Sequence, residues 1–290
     1  MKKVISFSIW GDNPFYNVGA IRNAELAKHL YPDWTCRYYI GSTTPKDIIE
    51  HLQSFDNTEL IFMNIDEGWN GMFWRFYPIS DPDVDIMVSR DVDCRLTERE
   101  AAAVNEWLES EKILHIMRDH PMHSEPIMGG MWGCKTKELF RGIVKGVYKP
   151  HEHEGIVMPE NIKDVIRDWV GVERIKTERG IPESISLDVF DNHGIDQKFL
   201  RGVVYRIGAP DDAFIHDSFP HYNNWSGRMD WMRRTHKKES NTGFPTQRKN
   251  SDDFVGQIYF EDETTNKESS DYLELKDNFI YQDDEYEKSD

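Results

Sequence analysis

The sequence predicts an α/β fold: a mostly parallel central sheet, Rossmann-like, with helices on both faces and an acidic C-terminal extension. Three observations predict it. Short apolar runs alternate with helix-period segments through the first half of the chain. The helical segments carry start and stop signals at their ends. Negative charge gathers at the end of the chain, where residues 261–290 hold twelve acids against three lysines in a protein of net charge −17.

The elements follow in order. "KKVISFSIW" reads as the first strand. "NVGAIRNAELAKHLYP" reads as a helix, with Ile21, Ala24, Leu26, Ala27 and Leu30 on one stripe, Asn17 as N-cap and Pro32 beyond the end. "TCRYYIG" is a second strand, and "PKDIIEHLQSF" a helix with proline at its first position. "ELIFMNI" and "VDIMVS" are the third and fourth strands. "LTEREAAAVNEWLES" opens with a capping box, Thr97 and Glu100, and buries Ala101, Val104, Trp107 and Leu108. "KILHIMR" and "EPIMGGMWGCK" read as strands, and "TKELFRGIVKGVY", "NIKDVIRDWVG" and "GIDQKFLRGVVYRI" as helices. "DDAFIHDSF" reads as a short strand or loop. The composition turns polar near Thr235, so a body of residues 1–234 is expected, followed by a linker and acidic extension over 235–290 in which "FVGQIYF" is a possible docking strand.

Composition excludes several classes. At 290 residues and 38% hydrophobic, the chain suits one large domain or one domain plus an extension. No run of about 18 apolar residues suggests a membrane span. The N-terminus enters a strand with no signal-peptide pattern, so a cytoplasmic protein is expected. Cys36, Cys94 and Cys134 are scattered and odd in number, which argues against a disulfide framework or a thiolate zinc site. The acidic balance argues against nucleic acid as partner.

The fourth strand ends on Ser89-Arg90 and presents Asp91 and Asp93. In parallel α/β sheets ligands sit at the carboxyl ends of strands. Residues i and i+2 of an extended segment point the same way, so both carboxylates can converge on one point. Like charges held together need a cation, or one takes up a proton. A hard divalent ion, Mn²⁺ or Mg²⁺, suits oxygen ligands and leaves positions open for phosphate. Helix capping is the plainer explanation of such acids, but Thr97 already fills that role.

An apolar strand ending in "SRDVDCR", then "IMGGMWG", "GIDQKFL" and "FIHDSF", after four alternating β/α units, resembles the GT-A-fold glycosyltransferases that use nucleotide-diphospho-sugars. The likeness covers roughly residues 1–220. It implies that Asp91 and Asp93 hold metal and diphosphate, with His216 or Asp217 added to the metal shell. It also implies an acceptor side lined by Gly129, Gly130 and Trp132, and Asp196-Gln197 near the transferred sugar.

The chemistry fits such an enzyme, with a UDP-sugar favoured as donor and a glycan or other hydroxyl as acceptor. A diphosphate leaving group needs a cation. Trp10 or Tyr16 offers a stacking surface for a base, Asp12 an acceptor for uracil or ribose, and Arg75 a bidentate phosphate clamp. Core packing is an equal reading of Trp10, and pairing with Asp85 an equal reading of Arg75. Arg90 offers a second donor contact. An inverting reaction needs a base, for which Asp119 and Asp196 are preferred over His120, His123 and Glu125. A retaining reaction needs few such groups. His120-x-x-His123 and His151-x-His153 have zinc-like spacing but read better as loop histidines. The alternatives are an Asp-x-Asp phosphohydrolase and a non-catalytic carbohydrate-binding protein. The first usually carries its motif after the first strand, and a nucleotidyltransferase would need a Gly-rich basic loop that "SIWGDNPFY" lacks.

Overall fold

The computed structural model describes residues 1–64, 68–120, 123, 125–147, 159–178, 194–208, 211–218 and 241–267. His151, His153 and the tail beyond residue 267 lie outside them. Strands β1 (Lys3–Ile9), β2 (Thr35–Ile40), β3 (Thr58–Phe62), β4 (Ile86–Ser89), β5 (Leu114–Arg118), β6 (Trp132–Lys135), β7 (Ala213–Asp217) and β8 (Asn241–Thr242) form one sheet. Their order is β3-β2-β1-β4-β6-β5-β7-β8. All pairings are parallel except those of β6, which runs against both β4 and β5.

Alternation along the strands sorts side chains to two cores. In β1, Val4 faces one and Ile5, Phe7 and Ile9 the other; in β4, Met87 and the pair Ile86 and Val88 divide the same way. One face is covered by α1 (Pro14–Leu30), α2 (Lys46–Gln53) and α3 (Glu98–Glu109), through small residues such as Ala20, Ala24 and Ala101 with Trp107. The other is covered by the 3₁₀ segment Gly68–Ser80, α4 (Thr136–Val147), α5 (Ile162–Glu178) and α6 (Ile195–Phe199), through Phe73, Phe76, Leu139, Ile162 and Phe199. No helix among the described residues is long and apolar enough to cross a membrane.

Four local expectations change. The N-cap of α1 is Asn13, whose side chain accepts from Phe15 N–H at 3.1 Å with Pro14 at the first helical position; Asn17 is buried one turn later. The Thr97 cap accepts from Glu100 N–H at 3.1 Å, but the Glu100 carboxylate is engaged by Arg90 and Tyr31, so the box is half-formed. The strand expected over 125–135 shrinks to β6, because Gly129 and Gly130 belong to the turn before it. Residues 241–267 are not a free linker: Phe254 and Val255 are buried, and Cys94 and Ile258 form an antiparallel bridge. Periodicity misses this stretch because its partners are distant in sequence.

Two buried histidines and a half-buried one set a pH dependence. His115 stacks on Trp107 and bonds His216 (Nε2 to Nδ1, 2.9 Å), which reaches Glu106 at 3.0 Å. Burial pushes His115 well down; it lowers His216 despite Glu106, and His123 to about 3. Below pH 6.5 an unfolded chain takes up protons that the fold refuses, so these groups lose stability as pH falls. Asp93 and Asp196, whose carboxyls burial pushes up, work the other way and are fewer. The urea midpoint is therefore expected to be lower at pH 5 than at pH 7.5, and a midpoint that rises on acidification would contradict this account.

Candidate active site

Strand order reverses beside β1, with β2 on one side and β4 on the other. In open α/β sheets such a reversal, at the carboxyl ends of the strands, is where ligands bind. Asp91 and Asp93 sit on the β4 loop. One ligand atom from each, together with Cys94 Sγ, lies within 4.8 Å of the others.

Helix α1 fixes that loop. A Cβ on Gly19 would overlap the Val92 carbonyl oxygen, so only glycine lets the helix approach this closely. Asn23 then donates to the Cys94 carbonyl at 2.8 Å and accepts from Leu96 N–H at 2.9 Å. The signal in the sequence was a polar residue on the apolar face of α1, beside Ala20, Ala24 and Ala27.

Arg75 closes the other side. The 3₁₀ segment is tied to β1 by Arg75 N–H donating to Ser8 Oγ at 3.0 Å. Its guanidinium bonds Asp91 Oδ1 through one nitrogen and Asp196 Oδ2 through another at 2.7 Å. Asp196, at the start of α6, is fully buried. Its Oδ1 and the Arg75 Nε have no hydrogen-bond partner among the described residues. Gly129 and Gly130 pass against this cluster: a Cβ on Gly130 would overlap Asp91 Oδ2, and one on Gly129 would lie 2.8 Å from Asp196 Oδ2. Ser89 Oγ donates to the Gly129 carbonyl at 2.8 Å and holds the turn in place. Gly130→Ala is therefore expected to push Asp91 aside, destabilising the fold by about 1–3 kcal/mol as an overpacked site. A thermal melt checks this, and an unchanged Tm would contradict the packing.

The electrostatics suit a cation. Burial and then Asp91 push the Asp93 carboxyl up to about 6. Cys94 is held as a protonated thiol by burial and by the same aspartates, and it points at Asp93 Oδ1 at 3.6 Å. The Tyr16 phenol is raised by partial burial, then by the nearby charges of Asp93 and Asp91. The oxygen-rich donor set of these two neighbouring carboxylates fits a hard divalent ion. Arg75 already meets one oxygen of Asp91, which leaves Oδ2 and the Asp93 carboxylate for such an ion.

Other candidates lie elsewhere. Arg90 turns into the core, with Nε on Glu100 at 2.7 Å and another nitrogen on the Trp132 carbonyl at 3.0 Å. Trp132 is a core side chain packed on Phe76. His216 is buried two strands beyond β6, between His115 and Glu106, and Asp217 pairs with Arg118 at 3.1 Å. Asp119 is fully buried and saturated: Arg99 at 2.7 and 2.9 Å, Arg248 at 2.9 Å, Ser218 Oγ, and Val255 N–H at 3.0 Å. Burial raises its carboxyl, but the two arginines win and hold it below the usual range. Asp85, the other partner considered for Arg75, pairs with Lys137 at 2.7 Å. Trp10 packs edge-on against Trp74 at 5.8 Å. Asp12 is exposed in the loop after β1, and Gln197 is half-buried on α6.

No family model matches the chain, and no curated protein sequence does. Among solved structures it is similar to galactosyltransferase LgtC in complex with donor and acceptor sugar analogs: 11% identity, 82% of this chain and 84% of that one, TM-score 0.45. It is similar to a glycosyltransferase involved in glycosylation of the major capsid of PBCV-1: 14% identity, 77% and 88%, TM-score 0.40. It is also similar to a mannosyltransferase from Pyrobaculum calidifontis in complex with GDP-Man and Mn²⁺: 12% identity, 48% and 46%, TM-score 0.37. The case for this chain's chemistry rests on its own residues.

Proposed function

We propose that the protein is a metal-dependent glycosyltransferase that moves a sugar from a nucleoside-diphosphate donor, a UDP-sugar by preference, to a hydroxyl of a glycan or similar acceptor. The observation that carries this reading is the convergence of Asp91 and Asp93 at the carboxyl edge of the sheet, where the strand order reverses. Asp91 Oδ2 and Asp93 would hold Mn²⁺ or Mg²⁺. When bound, that ion supplies positive charge to a diphosphate leaving group.

The chain's own groups supply the rest. Arg75 bonds Asp91 and Asp196 together and so fixes their relative orientation. Asp196 Oδ1, buried and unpartnered among the described residues, suits a sugar hydroxyl as donor, since a buried carboxylate oxygen gains most from a partner. Gly129 and Gly130 leave the room that Arg75, Asp196 and Asp91 occupy, which any side chain would take from them. Tyr16, exposed near the start of α1, is the preferred stacking surface for a base, with Trp10, which packs on Trp74, the alternative. Asp196 is a better general-base candidate than the saturated Asp119.

The test is a panel of UDP-, GDP- and dTDP-sugars with Mn²⁺, read as released nucleoside diphosphate with and without EDTA. EDTA-sensitive release from at least one donor is expected, through transfer or slow hydrolysis. Metal-independent release of inorganic phosphate from simple monoesters would overturn the reading in favour of a hydrolase.

A further inference from the structure

The segment 254–263 is stitched along the aspartate loop. Tyr259 N–H donates to the Asp93 carbonyl at 2.9 Å, and Cys94 Sγ lies 3.4 Å from the Gly256 carbonyl, which competes with Asp93 Oδ1 for the one thiol hydrogen. Arg95, almost fully buried, grips Glu263 at 2.8 and 3.2 Å. Both ends are fixed. At one end Val255 N–H meets the Asp119 carboxylate, which Arg99 and Arg248 also hold. At the other, Glu263 has φ +65°, the one non-glycine residue with positive φ among the described residues. That conformation costs an L-residue roughly 1–2 kcal/mol. The ion pair with Arg95 offsets it.

The loop itself has little regular support. The β4 ladder ends at Ser89, so residues 91–95 lie beyond the sheet's hydrogen bonds. Asn23 holds their carbonyls from α1, and the segment 254–263 holds the Asp93 carbonyl from outside. Two like-charged carboxylates on a loop without such props would relax apart.

We propose that segment 254–263 is a positioning element of the metal site, with Asp119 anchoring one end and Glu263 the other. It sets the backbone of Asp93 and Cys94 so that the two carboxylates converge. The inference rests on the reading of Asp91 and Asp93 as cation ligands. Partners outside the ligand set typically contribute 10- to 100-fold to metal affinity by orienting it.

The test is Mn²⁺ titration of the full chain, followed by calorimetry and by the electron paramagnetic resonance of free Mn²⁺, with Tm measured in parallel. Tyr259→Pro removes the N–H that Asp93 accepts. Glu263→Gly removes the Arg95 ion pair and relieves the left-handed backbone at the same time, while the Arg95 guanidinium keeps the Val92, Cys94 and Phe260 carbonyls as partners, so the fold is retained. Both are expected to bind Mn²⁺ about 10- to 100-fold more weakly at nearly wild-type Tm. Wild-type affinity in Glu263→Gly and in any folded Tyr259→Pro overturns the proposal and leaves the metal reading standing. Lost affinity accompanied by a melted fold in Glu263→Gly makes the segment merely structural and also overturns it. A wild-type protein that binds no Mn²⁺ removes the metal reading and the proposal with it.

Discussion

Arg75→Ala is expected to destabilise the fold by about 3–5 kcal/mol, the usual cost of leaving a buried charge without its partner. The guanidinium is 7% exposed and the Asp196 side chain 0%. With Arg75 gone, Asp196 keeps its desolvation and loses the cation that opposes it. Its carboxyl, already raised, then rises further above the unfolded value. A raised carboxyl costs stability above its folded pKa, and the cost fades as pH falls through that value. The defect should therefore be larger at pH 8 than at pH 5. The double variant Arg75→Ala with Asp196→Ala should be more stable than Arg75→Ala alone. Urea midpoints check both, and a single variant as stable as wild type at pH 8 would contradict the buried bridge. Arg75→Lys is not a rescue, because one ammonium cannot place two nitrogens on two carboxylates in a fixed fork.

Asp93→Asn is expected to separate stability from function. Its folded carboxyl lies at about 6 against an ordinary 3.8, so at neutral pH the fold bears an unfavourable charge. The side chain is partly exposed, and solvent screening reduces the effect to about 1 kcal/mol. In metal-free buffer at pH 7.5 the variant should melt above wild type, and the gap should close as pH falls below 6. Turnover with a nucleotide-sugar should fall at least about 100-fold, the scale of losing one main electrostatic contact to a developing charge. A variant that melts lower at pH 7.5 and retains turnover would contradict both halves.

Much of the sheet was legible because its strands are local. β1, β2, β3 and β4 are short apolar runs, and those of β1, β2 and β4 are followed by helices with recognisable punctuation. The 3₁₀ segment Gly68–Ser80 was not legible: it carries Pro78 and no helical period, and its place is set by Ser8 and by the core under Phe73 and Phe76. At the site, each acid could be named but not its company. Arg75 and Asp196 are 121 residues apart, and nothing local announces their contact. Arg90 and Asp91 are adjacent just past β4, yet one pairs with Glu100 in the core and the other with Arg75. Asp119 looked like a free base on a loop; its partners Arg99, Arg248 and Val255 come from α3 and from a stretch that composition marked as linker.

Anomalous diffraction at the manganese edge, from crystals grown with Mn²⁺ and a nucleoside diphosphate, tests the central claim most directly. One peak is predicted between Asp91 and Asp93, within bonding distance of an oxygen from each and of the diphosphate. A nucleotide seated beside these aspartates with no peak there, or a peak bound to other residues, would contradict it.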